Sequence, residues 1–169
     1  DMSLDQTQPY LQLLPLIRQA KERQQTVVLV TGVFDLLHQE HRLFLEKASQ
    51  LGGVLLVGVE SDERVRKLKG KGRPIQSQQE RATAIARLGL AAAVFVLPTQ
   101  FDEPADHEAL IEALKPDVLA VSAHTAHQVE KSAIMAKFGG VVIVVHGHNQ
   151  QISTTQLLQQ QQVRGTKEN

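Results

Sequence analysis

The chain is predicted to be an α/β domain in which helices cover both faces of a doubly wound, parallel five-stranded sheet. Two observations predict it. Five short runs, TVVLV (26–30), VLLVGVE (54–60), AVFVL (93–97), DVLAVS (117–122) and VVIVV (141–145), are almost uniformly apolar and rich in β-branched residues. That pattern marks strands buried on both faces. Between the runs lie stretches with apolar residues at helical spacing, long enough to be the crossovers that parallel strands require. Right-handed crossovers then give a Rossmann-like α/β/α sandwich. In that architecture ligands sit beyond the carboxyl ends of the strands, where the strand order reverses.

The elements follow in order. LQLLPLIRQAKERQ (11–24) reads as an amphipathic helix interrupted near its start by Pro15. It belongs to an N-terminal helical segment, residues 1–25, ahead of a main domain over 26–163 and a flexible tail at 164–169. After the first strand a helix runs from about Gln39 to Leu51, with Leu43, Phe44 and Ala48 at helical spacing, and Gly52–Gly53 ends it. After the second strand, Ser61–Asp62 caps a short helix, DERVRKLK (62–69), which runs into the basic, glycine-rich loop KGKGRP (69–74). Residues 77–88 form the next helix. HEALIEAL (107–114) is a helix stopped by Lys115–Pro116, and residues 127–138 form one ended by Gly139–Gly140. A last helix is expected to start near Ser153–Thr155 and to fade into the glutamine tract at 159–162.

The bulk composition removes several function classes. The chain has 169 residues, enough for one domain with a real core. Eighteen basic and eighteen acidic residues cancel, which argues against broad binding to nucleic acid or to anionic lipid. Cysteine is absent, so disulfides, thiol nucleophiles and cysteine-ligated zinc are excluded. No apolar stretch approaches the roughly 20 residues of a membrane span. The opening residues, DMSLDQTQPY, lack the basic and apolar regions of a secretory signal. A cytoplasmic location is the expectation.

Three segments at strand ends carry candidate chemistry. The first is TGVFDLLHQEH (31–41), where Gly32 allows close backbone approach to a ligand. His38 and His41 fall on one side of a helix start, whose free N–H groups already attract phosphate. The second is LKGKGRPIQSQQER (68–81), in which Lys69, Lys71 and Arg73 suit a polyphosphate. The third is HGHNQQISTT (146–155), where Ser153, Thr154 and Thr155 open a helix and offer hydroxyls and N–H groups to an anion. Each also has a plain structural reading: surface histidines, a solvated basic loop with Arg81 as an ordinary exposed helix residue, and simple N-capping.

The order of these segments resembles the nucleotidyltransferase superfamily of the cytidylyltransferase type. That superfamily includes glycerol-3-phosphate cytidylyltransferases and the adenylyltransferase domain of heptose-phosphate enzymes. GVFDLLHQEH, ESDERVRKLKGKGRPIQSQQER, KPDVLAVS and ISTT follow its pattern from about Val27 to Leu158. The resemblance implies that a phosphorylated small molecule attacks the α-phosphorus of a nucleoside triphosphate and expels pyrophosphate. His38 and His41 would then contact the triphosphate, and Lys69, with Lys71 assisting, would bridge the two reacting phosphates. Gly32, Val33 and Phe34 would form the nucleotide turn. Ser153, Thr154 and Thr155 would hold the β- and γ-phosphates, and Arg81 would contact nucleotide or acceptor. Asp35 would order the turn. Magnesium would arrive on the triphosphate with no dedicated protein site. Related enzymes often form homodimers.

Three positions depart from the family pattern. Glu40 replaces the usual glycine before the second histidine, Val33 stands where some members have a polar residue, and Ser122–Ala123–His124–Thr125 replaces a Lys-Gly-Gly-Asp-Tyr-like segment. Glu40 motivates an alternative reading, a nucleotide-binding regulatory module without turnover. The pairs His38/His41, His124/His127 and His146/His148 raise a third, a zinc site. ESDERVRKLKGKGRP leans towards the adenylyl-transferring branch, hence towards ATP over CTP, and the acceptor is not legible.

Overall fold

The computed structural model describes residues 9–145. A 3-10 turn, Pro9–Leu13, leads into α1 (Leu14–Glu22). The chain then alternates β1 (Val27–Gly32), α2 (Gln39–Ser49), β2 (Val54–Val59), α3 (Asp62–Lys69), α4 (Gln78–Arg87), β3 (Ala93–Val96), α5 (Pro104–Leu114), β4 (Val118–Ser122), α6 (Gln128–Lys137) and β5 (Val141–Val145). The five strands form one sheet in the order β3-β2-β1-β4-β5, and every pairing is parallel. This is the expected Rossmann-like, doubly wound fold. The order reverses between β1 and β4, so the crevice beyond those two strand ends is where a ligand belongs.

Strand alternation sorts the core into two layers. Val27 and Leu29 of β1 face Ile17 of α1, Leu110 and Leu114 of α5 and Met135 of α6. Val28 and Val30 face Phe44, Leu45 and Ala48 of α2 and Ile85 of α4. All four β1 residues are fully buried, which is why the run is apolar without alternation. Tyr10, Ile17 and Ala20 are buried in the first layer, so α1 and the 3-10 turn before it pack onto the core of the sheet domain.

Two helix starts differ from the sequence reading. Pro15 lies in the first turn of α1, where its missing N–H breaks no helical bond, so it opens that helix and does not interrupt it. α5 begins at Pro104, three residues before His107. Glu103 and Asp106 close a reciprocal cap around that first turn, and Asp106 accepts the backbone N–H of Glu103 at 2.9 Å. Ser61 and Ser77 cap α3 and α4 through their hydroxyls, as serines at helix starts commonly do. The expected last helix, the glutamine tract and the tail lie outside the described residues.

Candidate functional site

A cavity of about 300 Å³ opens at the switch point. Gly32, Val33, Phe34, His41 and Lys69 line one side of it, and Ser122, Thr125, His107 and Lys131 line the other. Two segments singled out in the sequence, the histidine turn and the lysine helix end, therefore meet in one cleft.

The turn after β1 is built under constraint. A Cβ on Gly32 would stand 2.7 Å from the Phe34 ring, so only glycine lets that ring fold back under the turn. Phe34 itself takes a left-handed backbone, with φ of 52°, and is held there by burial. Asp35 secures the next step. It accepts hydrogen bonds from Arg73 Nε at 3.0 Å and from the backbone N–H groups of Ile75 and Gln76 at 2.9 and 3.0 Å. Burial alone would raise its carboxyl, but these donors hold it below the usual carboxylate range. Asp35 thus orders the turn and staples it to the loop that follows α3.

His38 caps α2, accepting the Glu40 N–H on its Nδ1 at 3.2 Å. His41 Nδ1 in turn accepts the backbone N–H of His38 at 3.4 Å. Both Nδ1 atoms act as acceptors, so both rings carry their proton on Nε2 when neutral. The rings stack with centroids 3.8 Å apart. His41 also meets Phe34 edge-on and lines the cleft, whereas His38 is exposed and faces a neighbouring groove with Arg42 and Glu46. The pair is thus one cleft-facing donor with a second imidazole stacked behind it.

Lys69 ends α3 and lines the cleft. Gly70 follows with φ of 87°, a turn that a side chain would strain, and it swings the loop away. Lys71 is exposed and is not part of the cleft wall. Arg73 is committed to Asp35. Arg81 is not the exposed helix residue of the plain reading. It has 0% exposure and donates to the carbonyls of Gln76 and Val33 and to Asp62 Oδ1 at 2.8–3.0 Å. What it touches is the backbone of the turn after β1. Its helical spacing to Ile85, four residues on, was the available sign that it faces inward. Ser153, Thr154, Thr155 and the His146/His148 pair lie outside the described residues. Among the described residues, no group of three or more histidines and carboxylates could hold a metal ion.

The far side of the cleft was missed. Glu60, at the end of β2, sits among Arg64, Asp102 and Lys131, and burial raises its carboxyl to about 7 against the pull of Arg64. Burial and Lys131 lower His107 to about 4, and burial lowers Lys131. Perturbed groups of this kind gather where a site is built. The one sequence signal was a glutamate closing an otherwise apolar strand.

With this geometry in view, the likeness to known proteins is informative. The cytidylyltransferase-like family matches residues 29–160. The bifunctional protein HldE of Helicobacter pylori (strain HPAG1) is 43% identical over 121 residues, 71% of this chain and 25% of that protein. HldE of Nitrosococcus oceani is 36% identical over 148 residues, 87% of this chain and 30% of that protein. The chain thus spans about a quarter to a third of the length of these curated relatives. A lipopolysaccharide core biosynthesis protein from Thermoplasma volcanium superposes with a TM-score of 0.59 at 27% identity, covering 72% of this chain and 95% of that one. Pantoate-beta-alanine ligase from Francisella tularensis shares the fold, with a TM-score of 0.55 at 13% identity over 80% of this chain and 64% of that one. Among the described residues no helix is long and apolar enough to cross a membrane.

Proposed function

The chain belongs to the cytidylyltransferase-like family, and from that premise we propose that it transfers a nucleoside monophosphate from a nucleoside triphosphate to a sugar phosphate. A phosphate oxygen of the acceptor attacks the α-phosphorus. The bond from that phosphorus to the bridging oxygen breaks, and pyrophosphate leaves with the electron pair. The carrying observation is that His41 and Lys69, from separate segments, line one cleft with the Gly32–Phe34 turn at the switch point. Two polyanions repel each other, so alignment and charge neutralisation are the main tasks. His41 offers Nε2–H to the oxygen on which charge builds. Lys69 bridges the α-phosphate and the incoming phosphate. His38 fixes the ring of His41 by stacking, and Ser153, Thr154 and Thr155 take the β- and γ-phosphates.

Magnesium would enter with the triphosphate. Asp35, the buried carboxylate of the turn, already accepts three donors, so phosphate oxygens and water would supply the ion's ligands. The ion would neutralise phosphate charge. ATP is the expected donor, from the likeness of ESDERVRKLKGKGRP to the adenylyl-transferring branch. Such substrates put the reaction in the cytoplasm. The test is pyrophosphate release from each nucleoside triphosphate with a panel of sugar phosphates and magnesium. ATP-dependent release is expected, and no release with any pair would defeat the proposal. Glu40 in the first turn of α2 favours a second reading, a binding module without turnover. Tight nucleotide binding with no product would select it.

A further inference from the structure

The turn between β1 and α2 holds two non-glycine residues in the left-handed region, Phe34 with φ of 52° and Leu36 with φ of 53°. A side chain there crowds its own backbone, so each needs something outside the turn to keep it. Phe34 is buried, but Leu36 is 48% exposed and is not held by the core. What reaches it is Gln76, 40 residues on, whose Oε1 accepts the Leu36 N–H at 3.1 Å. The Gln76 backbone is itself fixed on both sides. Its N–H donates to Asp35 Oδ1 at 3.0 Å, and its carbonyl accepts Arg81 Nε at 3.0 Å. The side chain therefore starts from an anchored point and spans to a strained one.

We propose that Gln76 is a positioning residue for the reaction, acting through Leu36 on the imidazole of His41. Leu36 lies two residues before His38, whose backbone N–H donates to His41 Nδ1 at 3.4 Å. That bond is already long, so a small shift of the chain at residue 36 breaks it. His41 then loses a bond that orients its ring, and Nε2–H is aimed less well at the oxygen on which charge builds. One neutral hydrogen bond and one left-handed residue are of similar energetic size, so removing the first frees the second. Phe34 stays where burial holds it, which leaves the Gly32–Phe34 wall of the cleft in place. Gln76 thus sets the reacting geometry and not the affinity for the nucleotide.

This role rests on the transfer reaction proposed above, and the experiment separates the two. Wild type, Gln76→Met and the double variant Gln76→Met/Leu36→Asn are compared in two ways. One is pyrophosphate release from the nucleoside triphosphate and sugar phosphate that wild type turns over. The other is NMR of the histidine rings and of the residue-36 amide. Methionine keeps the length of Gln76 without its acceptor, and asparagine enters the left-handed region more readily than leucine. Gln76→Met is expected to lower kcat by about tenfold or more, since a slightly misplaced reacting group is costly. KM for the nucleotide should stay within about twofold, since ground-state binding is untouched. The double variant is expected to recover most of the lost kcat, which a role in stability alone does not predict. Wild-type kcat in Gln76→Met, or a loss that Leu36→Asn does not repair, overturns the proposal. If wild type turns over no pair, the transfer reading fails and NMR decides. Faster exchange of the Leu36 amide and displaced His41 ring resonances in Gln76→Met, with the ring resonances restored in the double variant, then support the link from Gln76 to His41. Ring resonances that stay in place in Gln76→Met, or that the double variant does not restore, overturn it.

Discussion

Arg81 Nη1 donates to the carbonyl of Val33, 48 residues earlier in the chain, at 2.8 Å. Through that bond and its partners on Gln76 and Asp62, a fully buried guanidinium links α4 to the turn and to the start of α3. Arg81→Met removes the donors and leaves the Asp62 carboxylate and two carbonyls without them, so unfolding free energy is expected to drop by about 3–5 kcal/mol. Arg81→Lys keeps the charge but not the fork, and about 2 kcal/mol is expected. Urea unfolding measures both. A wild-type midpoint for Arg81→Lys would show that the clamp carries no energetic weight.

His41 can be divided into its two nitrogens. Asparagine places an oxygen near the position of Nδ1, and glutamine places an amide near that of Nε2. His41→Asn is therefore expected to keep the bond from the His38 N–H and the fold, yet to lose about two to three orders of magnitude in kcat, as loss of one transition-state donor does elsewhere. His41→Gln should retain more activity and less helix-start stability. Steady-state kinetics with thermal unfolding reads both. Equal activities for the two variants would exclude a donor role for Nε2.

Glu40 sits in the first turn of α2, where its charge suits the helix dipole but not a neighbouring triphosphate. Glu40→Gly is expected to cost about 1 kcal/mol of stability from helix propensity alone. It should also tighten nucleotide binding severalfold, with a smaller gain at high salt because screening weakens the repulsion being relieved. Calorimetry at two ionic strengths measures this. Unchanged affinity at both would mean that the carboxylate does not sense the phosphates.

The sequence carried the sheet well because a strand buried on both faces has almost no freedom of composition, as the fully buried Val27–Val30 run illustrates. α3 was legible to the residue because Ser61 caps it and Gly70 ends it. α5 was begun late because its start depends on Glu103 and Asp106 closing a cap around Pro104, a carboxylate arrangement without a serine or threonine signal. The histidine turn and Lys69 each stand out as a short local pattern in its own segment, and the fold brings His41 and Lys69 to one cleft. Asp35 was read correctly as a residue that orders the turn. The polar pocket beyond β2 was not legible because its groups come from three separate segments, Glu60 with Arg64, Asp102 with His107, and Lys131. Only the fold makes them neighbours. Arg81 shows a further limit, since helical spacing says which face a residue is on but not that a guanidinium can be fully buried when carbonyls and a carboxylate surround it.

The burial of Glu60 also has a signature in stability. Burial raises the carboxyl of Glu60 from 4.5 to about 7. For an acid shifted upwards, the folded state favours the protonated form. Its stabilising contribution is therefore present below pH 4.5 and is lost as pH rises through about 7. The full shift corresponds to roughly 3 kcal/mol at most. Glu60→Gln removes that titration, while the loss of a partner for Lys131 offsets part of the gain. Burial lowers His107 from 6.5 to about 4, so its contribution is present above pH 6.5 and is lost as pH falls through about 4. Both proteins retain His107, so the difference between their stability curves isolates Glu60. That difference is expected to move in favour of Glu60→Gln as pH rises from about 4.5 to about 8, by thermal unfolding in matched buffers. A flat difference across the range would mean that Glu60 titrates as an ordinary carboxylate and that its burial does not raise it.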